Sequence, residues 1–160
     1  PEYVKTVVEC YNEAINSYID GTFSEEKIMN WDERLKTVFN RGFWNGYYLG
    51  QRLGEWSSTY GSEATKRKVY IGKGMKYFSK LEVAEFLVET KFGVNKGDEL
   101  LIMGPTTGVI ELKAENMQVD YKEADRCERG ELFSIAVPCK IRPSDKLYKL
   151  VDASEVPNNQ

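Results

Sequence analysis

The side chains that could support covalent chemistry are few in this sequence and lie far apart. It contains no histidine, which excludes histidine general bases, histidine metal ligands and Ser-His-Asp triads. Its cysteines are Cys10, Cys127 and Cys139, and none belongs to a Cys-x-x-Cys pair typical of zinc sites or redox dithiols. A nucleophile also needs a positioned base, which no lysine or carboxylate arrangement here indicates. We therefore expect no catalytic site, no metal site and no cofactor in this chain.

Four reactive or charged side chains receive structural interpretations instead. Basic neighbours could lower the pKa of Cys127, although a connector thiol without function is the favoured interpretation. Cys139 is interpreted as a small buried hydrophobic residue. Asp98 and Asp145 each stand just before a predicted strand, where a carboxylate accepts hydrogen bonds from turn amides. We expect turn chemistry from both aspartates rather than a catalytic carboxylate pair.

Binding is the second kind of chemistry that the residues indicate. Residues 39–50 combine five aromatic residues, three glycines and one arginine, the densest such run in the chain. The favoured interpretation is a folded junction whose rings are core; the alternative is a surface for a partner domain or nucleic acid. In the second case rings stack on bases while basic side chains contact phosphates. The candidate partner-binding or RNA-binding residues are Arg41, Phe43, Trp44, Tyr47, Tyr48, Lys66, Arg67, Lys68, Lys73 and Lys76.

The totals limit the classes of partner. A formal net charge of −3 and a pI near 5.2 argue against a general nucleic-acid clamp, and the basic run at 66–68 is also typical of a solvated face. No apolar run approaches the roughly 18 residues that span a bilayer, and no secretion leader is seen. We expect a cytoplasmic protein with reduced thiols and no membrane partner. Because it begins with Pro1, we also expect a piece of a longer protein.

The first elements are predicted to be two helices. Apolar residues recur every three or four positions from 2 to 19, which predicts one amphipathic helix that Asp20-Gly21 ends. Residues 22–25 fit a capping box with Thr22 as the cap, and a second helix follows to Val38. Two helices bury too little apolar surface to stand alone in water, so this pair needs another surface.

After a polar, glycine-containing stretch, alternating apolar residues predict six short strands separated by turns. Such strands favour a small closed antiparallel barrel, which leaves no exposed edge. The predicted class is α+β, mainly β. The predicted divisions are 1–61 for the helical hairpin and aromatic junction, 62–152 for the barrel and 153–160 for a tail. The strands are marked by Val69 and Ile71; Ala84, Phe86 and Val88; Leu100 and Ile102; Ile110 and Leu112; Phe133, Ile135 and Val137; and Leu147, Lys149 and Val151.

Several motifs resemble one known family. The run 40–50, the segment Tyr70-Ile71-Gly72-Lys73-Gly74, the segment 92–100 and the tripeptide Met103-Gly104-Pro105 resemble the C-terminal region of the collagenase-like peptidase family U-32. The predicted barrel is also similar to the second domain of elongation factor Tu. Nearly the whole sequence takes part in the resemblance.

The resemblance implies a role for the chain and a location for the chemistry. It implies an upstream catalytic domain with a TIM-like fold and a cysteine-bound iron-sulfur cluster, some members requiring prephenate, and relatives implicated in hydroxylating a base in transfer or ribosomal RNA. This chain would then be a non-catalytic C-terminal accessory domain that binds the RNA substrate. The alternative is a structural module that docks the missing catalytic domain or forms a homo-oligomer.

Overall fold

The computed structural model describes residues 1–43, 50 and 61–155. These fall into two compact units. The helical unit comprises the described residues of 1–67 together with those from 152 onward, and the sheet unit comprises residues 68–151.

The helical unit contains α1, Glu2–Ile19, and α2, Glu25–Lys36. Asp20 caps the C-terminus of α1, and Gly21 follows in the left-handed region with a φ of 69°, as the Asp-Gly signal predicted. The predicted capping box is wrong, because Ser24 is the cap of α2 and its hydroxyl accepts a hydrogen bond from the Lys27 amide at 3.3 Å. The Thr22 hydroxyl is instead held by the Lys27 ammonium at 2.8 Å.

The two helices pack around one large side chain. Trp31 of α2 is buried, and its indole nitrogen donates a hydrogen bond to Glu13 of α1 at 3.0 Å. Arg34 donates to the same carboxylate oxygen at 2.6 Å. Hydrogen bonds from Arg34 and Trp31 lower the pKa of Glu13, because they stabilise its charged form. These contacts tie α1 to α2 through one carboxylate oxygen.

The described residues also form ten strands, and the α+β, mainly β class is confirmed. Eight of them make one sheet in the order β5-β4-β10-β1-β2-β9-β6-β7, while β3 and β8 pair separately. All six predicted strands are present, and the additional ones, β3, β6, β7 and β8, have two residues each. The bounds are β1 Lys66–Phe78, β2 Val83–Val88, β3 Val94–Asn95, β4 Glu99–Gly104, β5 Gly108–Lys113, β6 Gln118–Val119, β7 Lys122–Glu123, β8 Arg126–Cys127, β9 Leu132–Ala136 and β10 Lys146–Asp152.

The sheet differs from the predicted barrel because it is not closed. β5 and β7 stand at its two edges, and no ladder between them joins the described residues. A two-residue strand offers few backbone groups for further pairing, so β6 and β7 end the sheet instead of continuing it around the core. The predicted closure required longer strands at this edge.

One apolar core lies on one face of the sheet strands. Phe86 of β2 stands opposite Phe133 of β9 in the strand register, and their rings stack with centroids 5.6 Å apart. Along β2, Ala84, Phe86 and Val88 are fully buried and alternate with half-buried residues, as expected for one covered face. Gly72 of β1 opposes Val88 so closely that a Cβ there would lie 1.9 Å from the Leu87 carbonyl oxygen.

The two aspartates are turn residues, as the sequence predicted. Asp98 accepts a hydrogen bond from the Asn95 amide at 2.8 Å and forms an ion pair with Lys149 at 2.8 Å. Asp145 accepts from the Arg142 amide at 2.8 Å and from the Thr107 hydroxyl at 2.5 Å. Both carboxylates therefore hold backbone turns of the sheet unit.

Candidate functional site

Two tyrosines and a lysine meet on neighbouring strands of the sheet unit. Tyr70 of β1 and Tyr148 of β10 contact edge to face, with centroids 5.7 Å apart and planes 71° apart. The Lys68 ammonium lies 5.4 Å from the centroid of the Tyr148 ring and 3.8 Å from the Met103 sulfur. We call the cluster formed by Lys68, Tyr70, Lys73, Glu89 and Tyr148 the tyrosine face.

Strand alternation explains why Lys68, Tyr70 and Tyr148 share a face. Ile71 of β1 points into the core, so Tyr70 points away from it. Lys68 lies two residues before Tyr70 and therefore points to the same side of the strand. Leu147 of β10 is likewise in the core, which places Tyr148 on the other side. Because β1 and β10 are adjacent in the sheet, the rings are brought into contact.

A carboxylate fixes the outer edge of this cluster. Glu89 accepts a hydrogen bond from the Tyr70 hydroxyl at 2.5 Å and forms an ion pair with Lys73 at 2.8 Å. Hydrogen bonds from Lys73 and Tyr70 lower the pKa of Glu89. Burial, followed by the hydrogen bond to Glu89, raises the pKa of Tyr70 to about 12. Tyr70 is thus a neutral, oriented ring at neutral pH.

This arrangement is suited to binding rather than to bond cleavage. A neutral phenol with so high a pKa is a poor nucleophile and a poor base. Fixed tyrosine rings, in contrast, can contact a ligand at a small entropic cost, because each has only two side-chain torsions. The Lys68 side chain adds a flexible cation at the rim of that surface.

The structure brings only part of the predicted set together. Lys68 and Lys73 both join the tyrosine face, whereas Lys76 places its ammonium 4.7 Å from the centroid of the Phe78 ring. Arg41 and Phe43 are exposed in the helical unit. Lys66 and Arg67 are half-buried and also belong to that unit. The other candidates lie outside the described residues; they are Trp44, Tyr47 and Tyr48.

The sequence interpretation missed Tyr70, Tyr148 and Glu89 as site residues. A signal was available for Tyr70, which stands two positions from Lys68 in a predicted strand. Tyr148 also lies next to a predicted core residue. Glu89 had no local signal, because its two partners are 19 and 16 positions away in the sequence.

The thiols are poorly placed for chemistry. Cys127 is buried, and burial together with the nearby carboxylates Glu131 and Glu128 raises its pKa to about 12. The suggested lowering of that pKa by basic neighbours is therefore wrong. Arg126 turns its guanidinium to Glu128 at 3.2 Å instead. Cys139 is exposed, contrary to the predicted burial; it lies three residues beyond the end of β9, in the bend that follows the buried Val137.

One serine has a lysine within hydrogen-bond distance. The Lys27 ammonium donates to the hydroxyls of Ser17 at 2.9 Å and Thr22 at 2.8 Å, at the turn between α1 and α2. An ammonium that donates to two hydroxyls is not placed to remove a proton from either of them. The Ser17 hydroxyl is also buried in the hairpin. The contact ties the turn together.

The described part of the chain has neither a metal-binding cluster nor a membrane-spanning helix. Across residues 1–43, 50 and 61–155, no three histidine, cysteine, aspartate or glutamate side chains are grouped to hold a metal ion. Neither of the two described helices is long and apolar enough to cross a membrane.

Comparison with known proteins identifies relatives of the chain. Residues 1–58 match the sequence model of Peptidase family U32. The chain is 57% identical over 149 residues to a collagenase of Porphyromonas gingivalis. The aligned region covers 93% of this chain and 36% of that protein. It is 30% identical over 152 residues to an uncharacterized protease of Methanocaldococcus jannaschii, covering 93% of this chain and 37% of that protein.

A solved structure is also similar. It is the C-terminal domain of a Geobacillus thermoleovorans protein assigned as a U32 peptidase, with a TM-score of 0.46 and 17% identity, covering 50% of this chain and 90% of that one. The chain spans little more than a third of the length of the two curated relatives. The predicted resemblance to peptidase family U32 is confirmed, and the chain corresponds to a part of a U32 peptidase-like protein.

Proposed function

We propose that this chain is the non-catalytic, C-terminal accessory part of a U32 peptidase-like protein and that its tyrosine face binds single-stranded RNA. The observation that supports the proposal is the Lys68 ammonium beside the ring of Tyr148, which itself contacts Tyr70. The substrate would be transfer or ribosomal RNA, and hydroxylation of its base would take place on the part of the longer protein outside this chain.

The non-catalytic assignment rests on the described side chains. The only serine-lysine contact described above holds a helical turn, and two of the three thiols are buried. The sequence has no histidine to act as a base. Accordingly, no cofactor is assigned to this chain.

The RNA assignment rests on the chemistry of the tyrosine face. An aromatic ring stacks on any base, which contributes roughly 1–3 kcal/mol per base, and a nearby cation pairs with the phosphate between bases. Lys68 places a flexible four-carbon stem and its ammonium beside the ring of Tyr148, where a phosphate next to a stacked base would lie. The ion pair of Lys73 with Glu89 offsets part of the positive potential of Lys73. We therefore expect weak, strongly salt-dependent binding of a few nucleotides.

The test is the affinity for a fluorescein-labelled single-stranded RNA of about twelve nucleotides, measured by anisotropy at two salt concentrations. Tyr148→Ala should weaken binding about 5- to 150-fold, since it removes one stacking ring worth roughly 1–3 kcal/mol. Tyr148→Phe keeps the ring and should retain binding. Lys68→Glu should weaken binding and reduce the slope of log Kd against log salt by about one.

Matched controls come from the far edge of the sheet. Tyr121 is 98% exposed beside β7, and Lys122 lies within β7. Tyr121→Ala and Lys122→Glu should leave the affinity unchanged. RNA binding that is equally strong in Tyr148→Ala and wild type, or equally weakened in the Tyr121 control, would contradict the proposal.

A further inference from the structure

Helix α1 has an apolar stripe that no described residue buries. Its members follow one another at intervals of four, three, four and three residues, the spacing of a single helix face. Each is between 51 and 77% exposed. We call the set the outer stripe; it consists of Val4, Val8, Tyr11, Ile15 and Tyr18.

This stripe is distinct from the face of α1 that contacts α2. The residues of α1 that are buried are Cys10 and Ser17, and Glu13 holds Trp31 and Arg34 of α2. All three lie at positions outside the outer stripe. The helix therefore has one face that packs against α2 and one apolar face that is exposed to solvent.

The exposed area is unusual for a chain that works alone. Two tyrosines and three branched aliphatic residues expose apolar area on the order of several hundred Å², which is at the upper end of what isolated soluble proteins tolerate. Only three residues of α1 and α2 are buried, so the hairpin itself has a small core. Covering the stripe would supply the stabilisation that two short helices lack.

We propose that the outer stripe packs against the part of the longer polypeptide that lies outside this chain. The Porphyromonas gingivalis collagenase matches 93% of this chain with only 36% of its own length, which leaves most of a related polypeptide available as the partner. Attachment through the same backbone gives that partner a high effective concentration, so a modest apolar stripe is sufficient. This inference does not depend on RNA binding by the sheet unit.

The residues beside the stripe favour this partner over a second copy of the chain. Helices that pair with themselves as coiled coils usually place charged residues at both flanks of such a stripe, where they select the partner. Here the flanking positions on one side are Val7 and Ala14, and those on the other are Lys5, Asn12 and Ile19. Only Lys5 among these flanking residues is charged, so charges do not line both sides of the stripe, and the flanks suit a wide apolar groove on another domain.

Hydroxyl-radical footprinting with mass spectrometry tests the proposal on the 160-residue chain and on the full-length polypeptide that carries it. Tyr11 and Tyr18 should oxidise readily in the short chain, where they are 63 and 77% exposed. In the full-length polypeptide their dose-corrected rates should fall by about fivefold or more, as exposed rings become core. Tyr121 serves as the exposed control and should oxidise at the same rate in both.

Three other results would overturn the proposal. Equal oxidation of Tyr11 and Tyr18 in the two polypeptides would mean that the stripe stays exposed. Protection in the short chain at all concentrations would mean that another segment of this chain covers it. Protection that increases with the concentration of the short chain would identify a second copy as the partner.

A pair of substitutions separates packing on the stripe from protection at a distance. Val8→Glu combined with Ile15→Glu places two charges on the outer stripe, which costs heavily in a buried interface. In the full-length polypeptide this variant should restore the oxidation of Tyr11 and Tyr18. Leu81→Glu, at an exposed position of the sheet unit, should leave both rings protected. Continued protection in the stripe variant would count against the proposal.

Discussion

Asp145 gives a quantitative test of how the sheet unit is held together. Its carboxylate is only 3% exposed and accepts hydrogen bonds from the Arg142 amide and the Thr107 hydroxyl. Asp145→Ala leaves both donors without their acceptor in a buried site. Each unsatisfied donor costs roughly 1–3 kcal/mol, so the free energy of unfolding should fall by about 2–6 kcal/mol. That is a large part of the 5–15 kcal/mol typical of a domain.

Thr107→Val divides this loss between the two hydrogen bonds. It removes one donor and keeps a branched side chain of similar size, so it should cost about 1 kcal/mol. The double variant should cost less than the sum of the single ones, because Asp145→Ala no longer strands a hydroxyl once Thr107 is valine. Asp125→Ala is the control, since its side chain is 85% exposed and should change stability by less than about 0.5 kcal/mol.

Urea unfolding followed by far-ultraviolet circular dichroism measures all four variants. Circular dichroism is suitable because the tryptophans Trp31, Trp44 and Trp56 lie outside the sheet unit. A change below about 0.5 kcal/mol for Asp145→Ala would refute the role of this carboxylate. Strict additivity in the double variant would show that Thr107 and Asp145 do not act together.

Two further predictions concern titration and reactivity. A thiol reagent should modify the exposed Cys139 of the native chain quickly. It should modify Cys10 and Cys127 slowly, because both are buried and burial raises the pKa of each thiol. A fast phase of modification that remains in Cys139→Ser would contradict this prediction. Folding raises the pKa of Tyr70 from 10.0 to about 12, so the native state keeps a proton that the unfolded state releases. Its contribution to stability is complete below pH 10 and is lost towards pH 12. Urea unfolding at about pH 9 and 11 should show a smaller loss for Tyr70→Phe than for wild type, and equal losses would contradict the assignment.

Local periodicity was sufficient to predict the two helices and the six longer strands of this fold. The apolar spacing in α1 and the alternation in β2 each reflect one dominant preference of the backbone, and both are found where predicted. The predicted N-cap of α2, Thr22, lies two residues before the observed N-cap, Ser24. Thr22 and Ser24 are both good caps, and only the tertiary contact of Thr22 with Lys27 decides between them.

Contacts between distant segments account for what the sequence could not supply. The spacing in α1 did not show that its apolar residues divide into one face against α2 and another that is exposed. Closure of the sheet depended on the length of β6 and β7, which are too short to leave a pattern. Glu89 became a site residue only because the fold brings Tyr70 and Lys73 to it.

Ultraviolet crosslinking to a 4-thiouridine RNA, followed by peptide mapping, tests the central claim most directly. The account predicts crosslinks on peptides that carry Tyr70 and Tyr148, and their loss in Tyr148→Ala. Crosslinks confined to the aromatic run at 39–50 would place RNA binding elsewhere in the chain. Either that result or a crosslinking yield at Tyr70 and Tyr148 no higher than at the Tyr121 peptide would contradict the assignment of the tyrosine face as the RNA-binding surface.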